Sequence, residues 1–441
     1  MHELTLNTKI PSLESTVVKL QESINRLGVF LDYDRMLEHY ARSTIGANIL
    51  LERIIRYTNA GVPVTEYKEK HFDMFCKKAG IREGLLTKPK SGTSSYSEDS
   101  IAIAIGTGLY NEELCAIMRM YSEACKKLHA VSVFKKIFDE CLPCGVETFD
   151  NHRMVCVKPI AVPQNTQRVG YHEPAIMNFA KEVSDVLTSP KGWILKAYDS
   201  GQIEPRLAQS FVLGDPLLKY CTQLYNDAYY GYVHYCNILT DEQIASGNMD
   251  FAPIEITDEL KEKRKKFKTF GNAVLYGSTE NKLGDPDKAN FIRRIGGHPK
   301  RIALQRDAET RVMNGQTVFY TAFGTPIDIM KGPSAEKDRE YSAEEQFKRK
   351  VKRAINNPIQ GTAADLMRYS VSKAYNYLLK EAPASAICVY VHDSGKFLIH
   401  ESEYDKVKDT LSGITAYQVE DWLPIYCEEE NKESSVPRYI I

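Results

Sequence analysis

No stretch of this 441-residue sequence is apolar for long enough to cross a membrane. None approaches the ~18 consecutive apolar residues that a transmembrane helix needs, and the N-terminus, MHELTLNTKIPSLE, lacks the basic-then-apolar pattern of a secretory signal. Hydrophobic residues make up 43% of the chain and charged residues 26%, a composition typical of globular proteins. We therefore expect a soluble cytoplasmic protein without a membrane partner, built from about two to three domains or large subdomains.

The chain also lacks a cysteine framework and an overall basic charge. Its ten cysteines are scattered, and the close pair Cys141 and Cys144 has no second pair to complete a zinc site, so we expect reduced thiols. Lys and Arg number 57 against 58 Asp and Glu, so any nucleic-acid binding must depend on local clusters. Two basic runs exist, KEKRKKFK (261–268) and KRKVKR (348–353), and such runs are usually solvated faces.

The apolar pattern alternates between helical and strand-like blocks. The first ~140 residues are predicted to be mainly helical, with a polar loop at LTKPKSGTSSYSED (86–99). Strands are predicted between 145 and 200, helices from 206 to about 280, a hairpin over 316–330, a long helix over 359–382, strands over 386–399 and a helix after 402. Helical blocks between distant strands predict an α+β chain with a discontinuous central sheet.

Two aspartates stand where an apolar strand ends. In GWILKAYDSGQIEPR (192–206) the strand runs into Asp199, and in VYVHDSGKFLI (389–399) Asp393 lies between two apolar runs. Either residue alone is most simply a turn or helix-capping residue. The repeated layout favours a shared role, because two carboxylates at the ends of neighbouring strands can hold the paired Mg²⁺ ions of a phosphoryl-transfer site.

The basic run at 261–268 begins a periodic stripe. Cationic, polar and aromatic side chains recur every four residues in KEKRKKFKTFGNAVLYG (261–277), at Arg264, Lys268, Asn272 and Tyr276. On a helix they form one slowly winding stripe, and two cations followed by a ring suit a nucleotide, phosphates first and base last. A solvated face is the alternative, but Gly271 and Gly277 count against it, since glycine weakens a helix and often marks a close approach or bend.

Together these segments resemble the family A (Pol I-like) DNA polymerases. DSGQIEPR is similar to that family's motif A, D-Y-S-Q-I-E-L-R, RKKFKTFGNAVLYG to motif B, R-x3-K-x3-[FY]-x3-Y-G, and VYVHDSGKFLI to motif C, V-H-D-E. AINNPIQGTAADL (354–366) matches the segment A-I-N-x-P-x-Q-G-T-A-A-D almost letter for letter. The motifs follow the family's order, and weaker similarity extends upstream through NTQRVGYHEPAIMN to LGVFLDYDRM, which covers nearly the whole chain.

The resemblance implies a role for each matching residue. Asp199 and Asp393 would be the catalytic metal ligands, joined by the backbone carbonyl of Ser200. The nucleotide-contacting positions are Arg264 and Lys268 for the triphosphate, Tyr276 at the nascent base pair, Asn272 beside the sugar, Glu204 as the carboxylate that excludes a 2′-hydroxyl, and Gln202 and His392 near the incoming phosphates and the primer terminus. The DNA-contacting positions are Arg168 and Asn178 on the duplex and Asn356 and Gln360 in the minor groove, where readout is nearly sequence-blind.

The sequence departs from the family pattern at four positions within these motifs. Asn272 stands where the family has Phe or Tyr, so ordinary sugar discrimination, especially against dideoxynucleotides, is not expected to carry over unchanged. Ser394 replaces a secondary acid, and we expect activity to survive. Pro205 replaces an apolar residue and Ser200 an aromatic one, and a short interval after Tyr276 predicts trimmed fingertip helices.

The implied architecture is the α+β right-hand polymerase fold, with an antiparallel palm sheet, a helical thumb and helical fingers. We predict a thumb over 1–145, palm segments over 146–215 (motif A) and 351–441 (motif C), and fingers over 216–350 (motif B). The implied reaction adds dNTPs to primer-template DNA with two Mg²⁺ ions, for which Mn²⁺ can substitute. The 198 residues before Asp199 leave no room for a 3′–5′ exonuclease domain, so we expect a separate exonuclease or processivity factor, as for a phage-like replicase in a host cytoplasm.

Two alternatives to a DNA polymerase remain at this point. HDS and YGSTENKLG also resemble single-subunit phage-type RNA polymerases, whereas Glu204 and PIQGTAADL favour DNA synthesis. A non-catalytic nucleic-acid-binding scaffold with the same fold predicts the loss of a metal acid or of a triphosphate-binding cation. Both acids, Asp199 and Asp393, and both cations are present.

Overall fold

The computed structural model of the chain describes residues 1–79, 110–141, 147–149, 152–164, 167–172, 185–275 and 285–429. The chain forms two compact units. One consists of Met1–Gly28, Ile160–His172 and Ser189–Glu433, and the other of Val29–Pro159, Glu173–Thr188 and Ser434–Ile441. The division into thumb, palm and fingers segments stays a prediction.

Helices form most of the described chain. The α-helices are α1 (Leu13–Leu27), α2 (Tyr33–Thr58), α3 (Glu69–Lys78), α4 (Glu112–Cys141), α5 (Ile203–Leu207), α6 (Pro216–Tyr225), α7 (Ala228–Val233), α8 (Asp241–Ser246), α9 (Asp258–Leu275), α10 (Pro286–Phe291), α11 (Pro299–Met313), α12 (Pro333–Glu336), α13 (Ala343–Glu381) and α14 (Tyr404–Ile414). Helices α5, α7 and α10 continue into π-helical turns at Ala208–Leu213, His234–Ile238 and Ile292–Gly296, and 3₁₀ turns lie at Val64–Glu66, Lys337–Glu340 and Glu401–Glu403. Aspartates begin several of them, because a carboxylate satisfies backbone N–H groups of the first turn, as Asp215, Asp227 and Asp285 do.

The strands come from distant parts of the sequence. They are β1 (His2–Leu4), β2 (Val29–Asp32), β3 (Glu147–Phe149), β4 (His152–Val157), β5 (Ile160–Pro163), β6 (Val169–His172), β7 (Leu187–Thr188), β8 (Trp193–Ser200), β9 (Val318–Tyr320), β10 (Pro326–Asp328), β11 (Ala386–Val391), β12 (Ser394–His400), β13 (Tyr417–Val419) and β14 (Cys427–Glu429). Within the first unit, a four-stranded antiparallel sheet has the order β11–β12–β8–β14. The predicted discontinuous sheet and α+β class are confirmed.

The smaller pairings complete each unit. In the second unit, strands β3, β4, β2 and β7 form an antiparallel sheet in that order. In the first unit, β5–β6 and β9–β10 are antiparallel hairpins, and β1 pairs with β13 in parallel. The β9–β10 pair confirms the hairpin predicted over 316–330. Strand β2 was missed, because VFLD lies within a longer helical pattern.

The long helix predicted over 359–382 begins earlier than expected. Helix α13 starts at Ala343, where Ser342 accepts the N–H of Glu345, and Pro358 lies inside it. A proline is typical of the first turn of a helix, where its missing N–H is harmless, so Pro358 gives no sign that the helix extends before it. Packing overrides the cost of an interior proline, since Val351, Ala354 and Ile355, before Pro358, belong to a buried cluster.

The basic run KRKVKR is not simply a solvated face. Arg353 is 9% exposed and donates through Nε to Ile329 O at 2.9 Å and through Nη1 to Asp338 Oδ1 at 3.2 Å. Arg349 Nε donates to Asp338 Oδ1 at 2.7 Å. Burial acts to raise the pKa of Asp338, but hydrogen bonds from Arg353 and Arg349 outweigh it and lower that pKa. This run therefore anchors α13, and the expectation of a solvated face was wrong for Arg353.

The predictions about the cysteines, the polar loop and membrane-spanning segments can be compared with the described residues alone. Eight cysteines are free thiols in the described part, namely Cys76, Cys115, Cys125, Cys156, Cys221, Cys236, Cys388 and Cys427. The side chain of Cys141, Cys144 and the loop predicted at 86–99 lie outside the described residues. In the ranges that the structure describes, none of the helices is both long and apolar enough to span a bilayer.

Candidate active site

The two strand-end aspartates meet at one edge of the four-stranded sheet. Strands β8 and β12 pair so that Ser394 lies opposite Asp199, and the N–H of Ser200 donates to the backbone O of Asp393 at 2.8 Å. Both aspartates are half-buried. The backbone pairing of the sheet therefore places Asp199 and Asp393 next to each other at the strand ends.

Asp393 belongs to a tight turn that begins with strained backbone. Val391 and Ser394 are paired, so His392 and Asp393 form a two-residue connection between β11 and β12. His392 has a φ of +55°, a left-handed conformation that costs free energy in a residue other than glycine. The turn thus places Asp393 at the rim of the sheet, so the turn role predicted for this aspartate is compatible with a metal-binding one.

The surroundings of Asp393 disfavour its charged form. Burial raises the pKa of this carboxyl, and the carboxylate of Glu204 adds to that effect. A backbone hydrogen bond, His392 and Arg168 oppose it but do not cancel it. A half-buried carboxylate with a raised pKa is a place where a bound cation would stabilise the charged form.

The available donors suit a hard cation that keeps other ligands. In the described ranges, no group of three or more His, Cys, Asp and Glu side chains is gathered in a metal-binding arrangement. Two carboxylates and a backbone carbonyl suit Mg²⁺, which is usually bound by one or two carboxylates together with waters and substrate phosphates. Asp199, Asp393 and the carbonyl of Ser200 therefore fit this ion.

Three other predicted site residues, Arg168, Glu204 and His392, are linked to one another next to Asp393. Arg168, just before β6, forms an ion pair through Nη2 with Glu204 Oε1 of α5, and its Nη1 donates to His392 Nδ1 at 3.3 Å. Loss of hydration and the Arg168 guanidinium lower the pKa of His392. The neutral imidazole is therefore favoured, and it accepts from the guanidinium.

A second group centres on Asp227, which the sequence analysis missed. Asp227 Oδ2 accepts from Gln202 Nε2 at 2.7 Å and from Arg264 Nε and Nη2 at 3.0 and 2.6 Å. Its Oδ1 caps α7 by accepting the N–H groups of Tyr229 and Tyr230 at 2.9 and 2.8 Å. The sequence YNDAYY signals a helix cap, but nothing local in it indicates a contact with Arg264, 37 residues later.

Tyr229 connects the two groups electrostatically. Burial raises its pKa to about 12, and the carboxylates of Glu204, Asp227 and Asp393 act in the same direction, while Arg264 opposes them. The ring of Tyr229 therefore lies within the electrostatic reach of both groups. No sequence signal singled out this tyrosine.

Helix α9 carries most of the predicted stripe. Arg264 is partly exposed and Lys268 is exposed, one turn further along. Asn272 lies on the same helix, and Tyr276 and Gly277 lie outside the described residues. Gly271 marks no close approach, because a Cβ there would meet only Phe291 Cζ at an ordinary 3.7 Å. The close approach expected at Gly271 was therefore wrong, although Gly271 itself is buried, and the argument from Gly277 stays a prediction.

The predicted minor-groove residues lie one turn apart on α13. Asn356 and Gln360 are both half-buried, and Asn356 Oδ1 is a buried acceptor without a hydrogen-bond partner among the described residues. Such an acceptor is unusual, because buried polar atoms are normally paired. Asn178, the other predicted DNA contact, lies outside the described residues.

Ser200, Pro205 and Ser394, which depart from the motif sequences, are buried or carry a buried hydroxyl. The hydroxyl of Ser200 is buried and donates to Thr415 O at 2.8 Å, so this side chain points away from Asp199. Pro205 is buried within the short helix α5. The Ser394 hydroxyl is buried without a hydrogen-bond partner in the described part of the chain.

The chain is similar to known DNA polymerases in sequence and in fold. The sequence profile of DNA polymerase family A matches residues 313–428. DNA polymerase I of Caldicellulosiruptor bescii is 25% identical over 174 residues, which are 38% of this chain and 19% of that protein. These matches support the resemblance to family A DNA polymerases, most directly over residues 313–428.

Two further matches extend the similarity. DNA polymerase I of Pseudomonas aeruginosa is 24% identical over 263 residues, or 56% of this chain and 26% of that protein. A solved structure, the POL domain of Pol1 from M. smegmatis in complex with DNA primer-template and dNTP, matches with a TM-score of 0.69 and 15% identity, over 95% of this chain and 68% of that one. The family A polymerase fold is thus confirmed, while the matches cover about a fifth to a quarter of each curated relative.

Proposed function

We propose that this chain is a template-directed DNA polymerase that adds deoxynucleotides to a primer 3′-hydroxyl by two-metal phosphoryl transfer. The observation that carries the proposal is the meeting of Asp199 and Asp393 at one sheet edge, through the pairing of Ser394 with Asp199 and the bond from Ser200 N–H to Asp393 O. The similar structure from M. smegmatis holds a DNA primer-template and a dNTP, which supports the same partners here.

Asp199 and Asp393 would hold the metal ions, with the backbone carbonyl of Ser200 as a further ligand. Two bound Mg²⁺ ions would activate the primer 3′-hydroxyl and neutralise charge on the leaving pyrophosphate. The protein contributes one carboxylate at the end of β8 and one in the tight turn between β11 and β12, so they need little reorganisation when substrate binds.

The cations of α9 would bind the triphosphate. Arg264 offers a planar fork to phosphate oxygens and Lys268 a point charge. Gln202 lies next to the Asp199 strand end, and His392 next to Asp393, so both would lie near the reacting phosphates and the primer terminus. Closure of α9 over a correctly paired nucleotide would act as the fidelity step.

The remaining residues would position sugar and duplex. Glu204, held by Arg168, would exclude a 2′-hydroxyl. The unpartnered Oδ1 of Asn356 and the side chain of Gln360 one turn later would contact the minor groove, where the acceptor positions vary little with sequence. Proofreading by a separate exonuclease and help from a processivity factor are part of this proposal.

Primer extension by the purified protein tests the proposal. Wild type should extend a DNA primer with dNTPs and Mg²⁺, and Asp393→Ala should lose at least about a thousandfold in rate, since removing such electrostatic stabilisation costs several kcal/mol. Asp405→Ala is the matched control, because Asp405 is 89% exposed and, among the described residues, pairs only with Lys408.

The same assay separates DNA from RNA synthesis. Ser394, which follows Asp393, is the feature shared with RNA polymerases. The primer-extension assay is therefore repeated on each template with ribonucleotides in place of deoxynucleotides. Robust extension with ribonucleotides would replace the DNA polymerase proposal by its RNA counterpart. Equal extension by wild type and Asp393→Ala would refute the catalytic assignment.

A further inference from the structure

The carboxylate of Asp227 is shared among three elements of the first unit. One oxygen, Oδ1, caps α7 through the N–H groups of Tyr229 and Tyr230. The other, Oδ2, accepts from Gln202 Nε2 at 2.7 Å and from Arg264 Nε and Nη2 at 3.0 and 2.6 Å. Its side chain is 13% exposed, so these charge-assisted bonds are largely shielded from water.

Asp227 occupies one edge of the Arg264 guanidinium and leaves another free. The bonds to Asp227 use Nε and Nη2, whereas Nη1 has no hydrogen-bond partner among the described residues. The guanidinium lies 5.6 and 5.4 Å from the ring centroids of Tyr229 and Tyr230. A guanidinium has five N–H donors in a fixed fork, so an anion can bind at the Nη1 side while Asp227 keeps its own edge.

Gln202 connects this arrangement to the aspartate edge. It lies three residues after Asp199 and has a φ of +54°, in the left-handed region. Its side chain bridges α7, accepting from Ala228 N at 2.6 Å and donating to Asp227. The chain that carries Asp199 is therefore tied to Arg264 of α9 through one carboxylate.

We propose that Asp227 is a positioning residue for the incoming nucleotide, orienting the Arg264 fork toward the triphosphate and holding it in register with the Asp199 strand end. This inference rests on the proposed function, because it assumes that Arg264 binds the triphosphate. Asp227 itself contacts no substrate. It acts through Arg264 and Gln202.

Asp227→Asn removes this role and retains the helix cap. Asparagine is as good a cap as aspartate, so its Oδ1 stays on the N–H groups of Tyr229 and Tyr230. Its Nδ2 then faces donors of Arg264 and Gln202, where no hydrogen bond can form. We expect kcat/KM for dNTP to fall tenfold or more, on the order of one lost charge-assisted hydrogen bond.

A double-mutant cycle with Arg264→Ala distinguishes positioning from general support of the fold. If Asp227 acts through Arg264, Asp227→Asn changes kcat/KM little once Arg264 is alanine. Asp285→Asn is the matched control. Asp285 caps α10 through the N–H groups of Asp287 and Lys288 at 2.9 and 3.2 Å, and its other oxygen pairs with Lys266, also on α9, at 3.2 Å. This control should leave kcat/KM unchanged.

The inference is overturned if Asp227→Asn matches wild type, or if its loss multiplies with that of Arg264→Ala. If Asp227→Asn does not fold, Asp227→Ser keeps a capping oxygen without the second acceptor and enters the same cycle. The rise in Tm caused by dNTP is measured alongside. If wild type extends no primer, the proposed function fails. The positioning role is still supported if dNTP raises Tm and Asp227→Asn diminishes that rise in the protein that retains Arg264 but not in the Arg264→Ala variant.

Discussion

Helices α13 and α9 both carry residues of the proposed site, but their surroundings hold them in different ways. Every residue of α13 from Gly361 to Arg368 is buried, including the ion pair of Asp365 with Arg368. In α9 the charged residues of the basic run are partly or fully exposed, and the buried Phe267 packs against the half-buried Phe270 and the buried Phe291.

This difference in burial and side-chain pairing indicates how firmly each helix is held in place. The buried polar groups of α13 are tied to the β9–β10 hairpin, since Thr321 and Thr325 donate to Asp365 at 2.5 and 2.9 Å. Helix α9 depends on one apolar ridge and on a few side-chain pairs, such as Arg264 with Asp227 and Lys266 with Asp285. Under the proposed function, α13 is thus suited to a fixed contact with the duplex, and α9 to a contact that changes when nucleotide binds.

A methyl group added at Gly361 should break the packing of α13. Its Cβ would lie 2.3 Å from Ile327 Cδ1 and 2.8 Å from Thr321 Cγ2, and overpacking of this kind typically costs about 1–3 kcal/mol. We expect Gly361→Ala to lower the free energy of unfolding by about 2 kcal/mol in a urea titration. The added change Ile327→Val removes the clashing methyl and should recover part of the loss. A titration indistinguishable from wild type would mean that α13 is less tightly packed than the contacts indicate.

The sequence predicted what depends on neighbours in the chain. Asp199 and Asp393 could be found because each ends an apolar run, and paired strands bring such ends together. The hairpin at 318–328 and helix α14 followed from their own local patterns. The start of α13 was missed, because Pro358 by itself resembles a helix start and only tertiary packing keeps it inside a helix.

Contacts between distant polar side chains were not predictable in the same way. Asp227 reads as an ordinary helix cap, and no local pattern pairs it with Arg264 or Gln202. The ion pair of Arg168 with Glu204 likewise joins segments that are 36 residues apart. Charged side chains have many candidate partners in a sequence that contains 57 cations and 58 anions, and the fold alone selects among them.

Lys268 tests the substrate-facing surface of α9. It is exposed and forms no ion pair with the described residues, so Lys268→Ala should leave Tm within the range of ordinary surface changes. We expect KM for dNTP to rise about tenfold, which corresponds to about 1.4 kcal/mol of lost phosphate binding. Steady-state primer extension at varied dNTP concentration measures it.

Lys265 supplies the control for that measurement. It is exposed on the same helix and pairs with Glu262 at 2.6 Å, so Lys265→Ala removes an equal charge at a different place on the helix. An equal rise in KM for both variants would mean that the overall positive charge of α9, and not a contact of Lys268, attracts the nucleotide.

The smallest expected effect has the opposite sign to that of Gly361. At Gly271 a Cβ would touch only Phe291 Cζ, at 3.7 Å, and the backbone of Gly271 is not among those with positive φ. Alanine there removes the entropic cost of a helical glycine, so Gly271→Ala should stabilise the protein by about 0.5–1 kcal/mol in the same urea titration. A gain in stability with a lower kcat would show that α9 bends at this glycine during turnover, whereas a loss of stability would show that α9 packs more closely on α10 than the 3.7 Å contact allows.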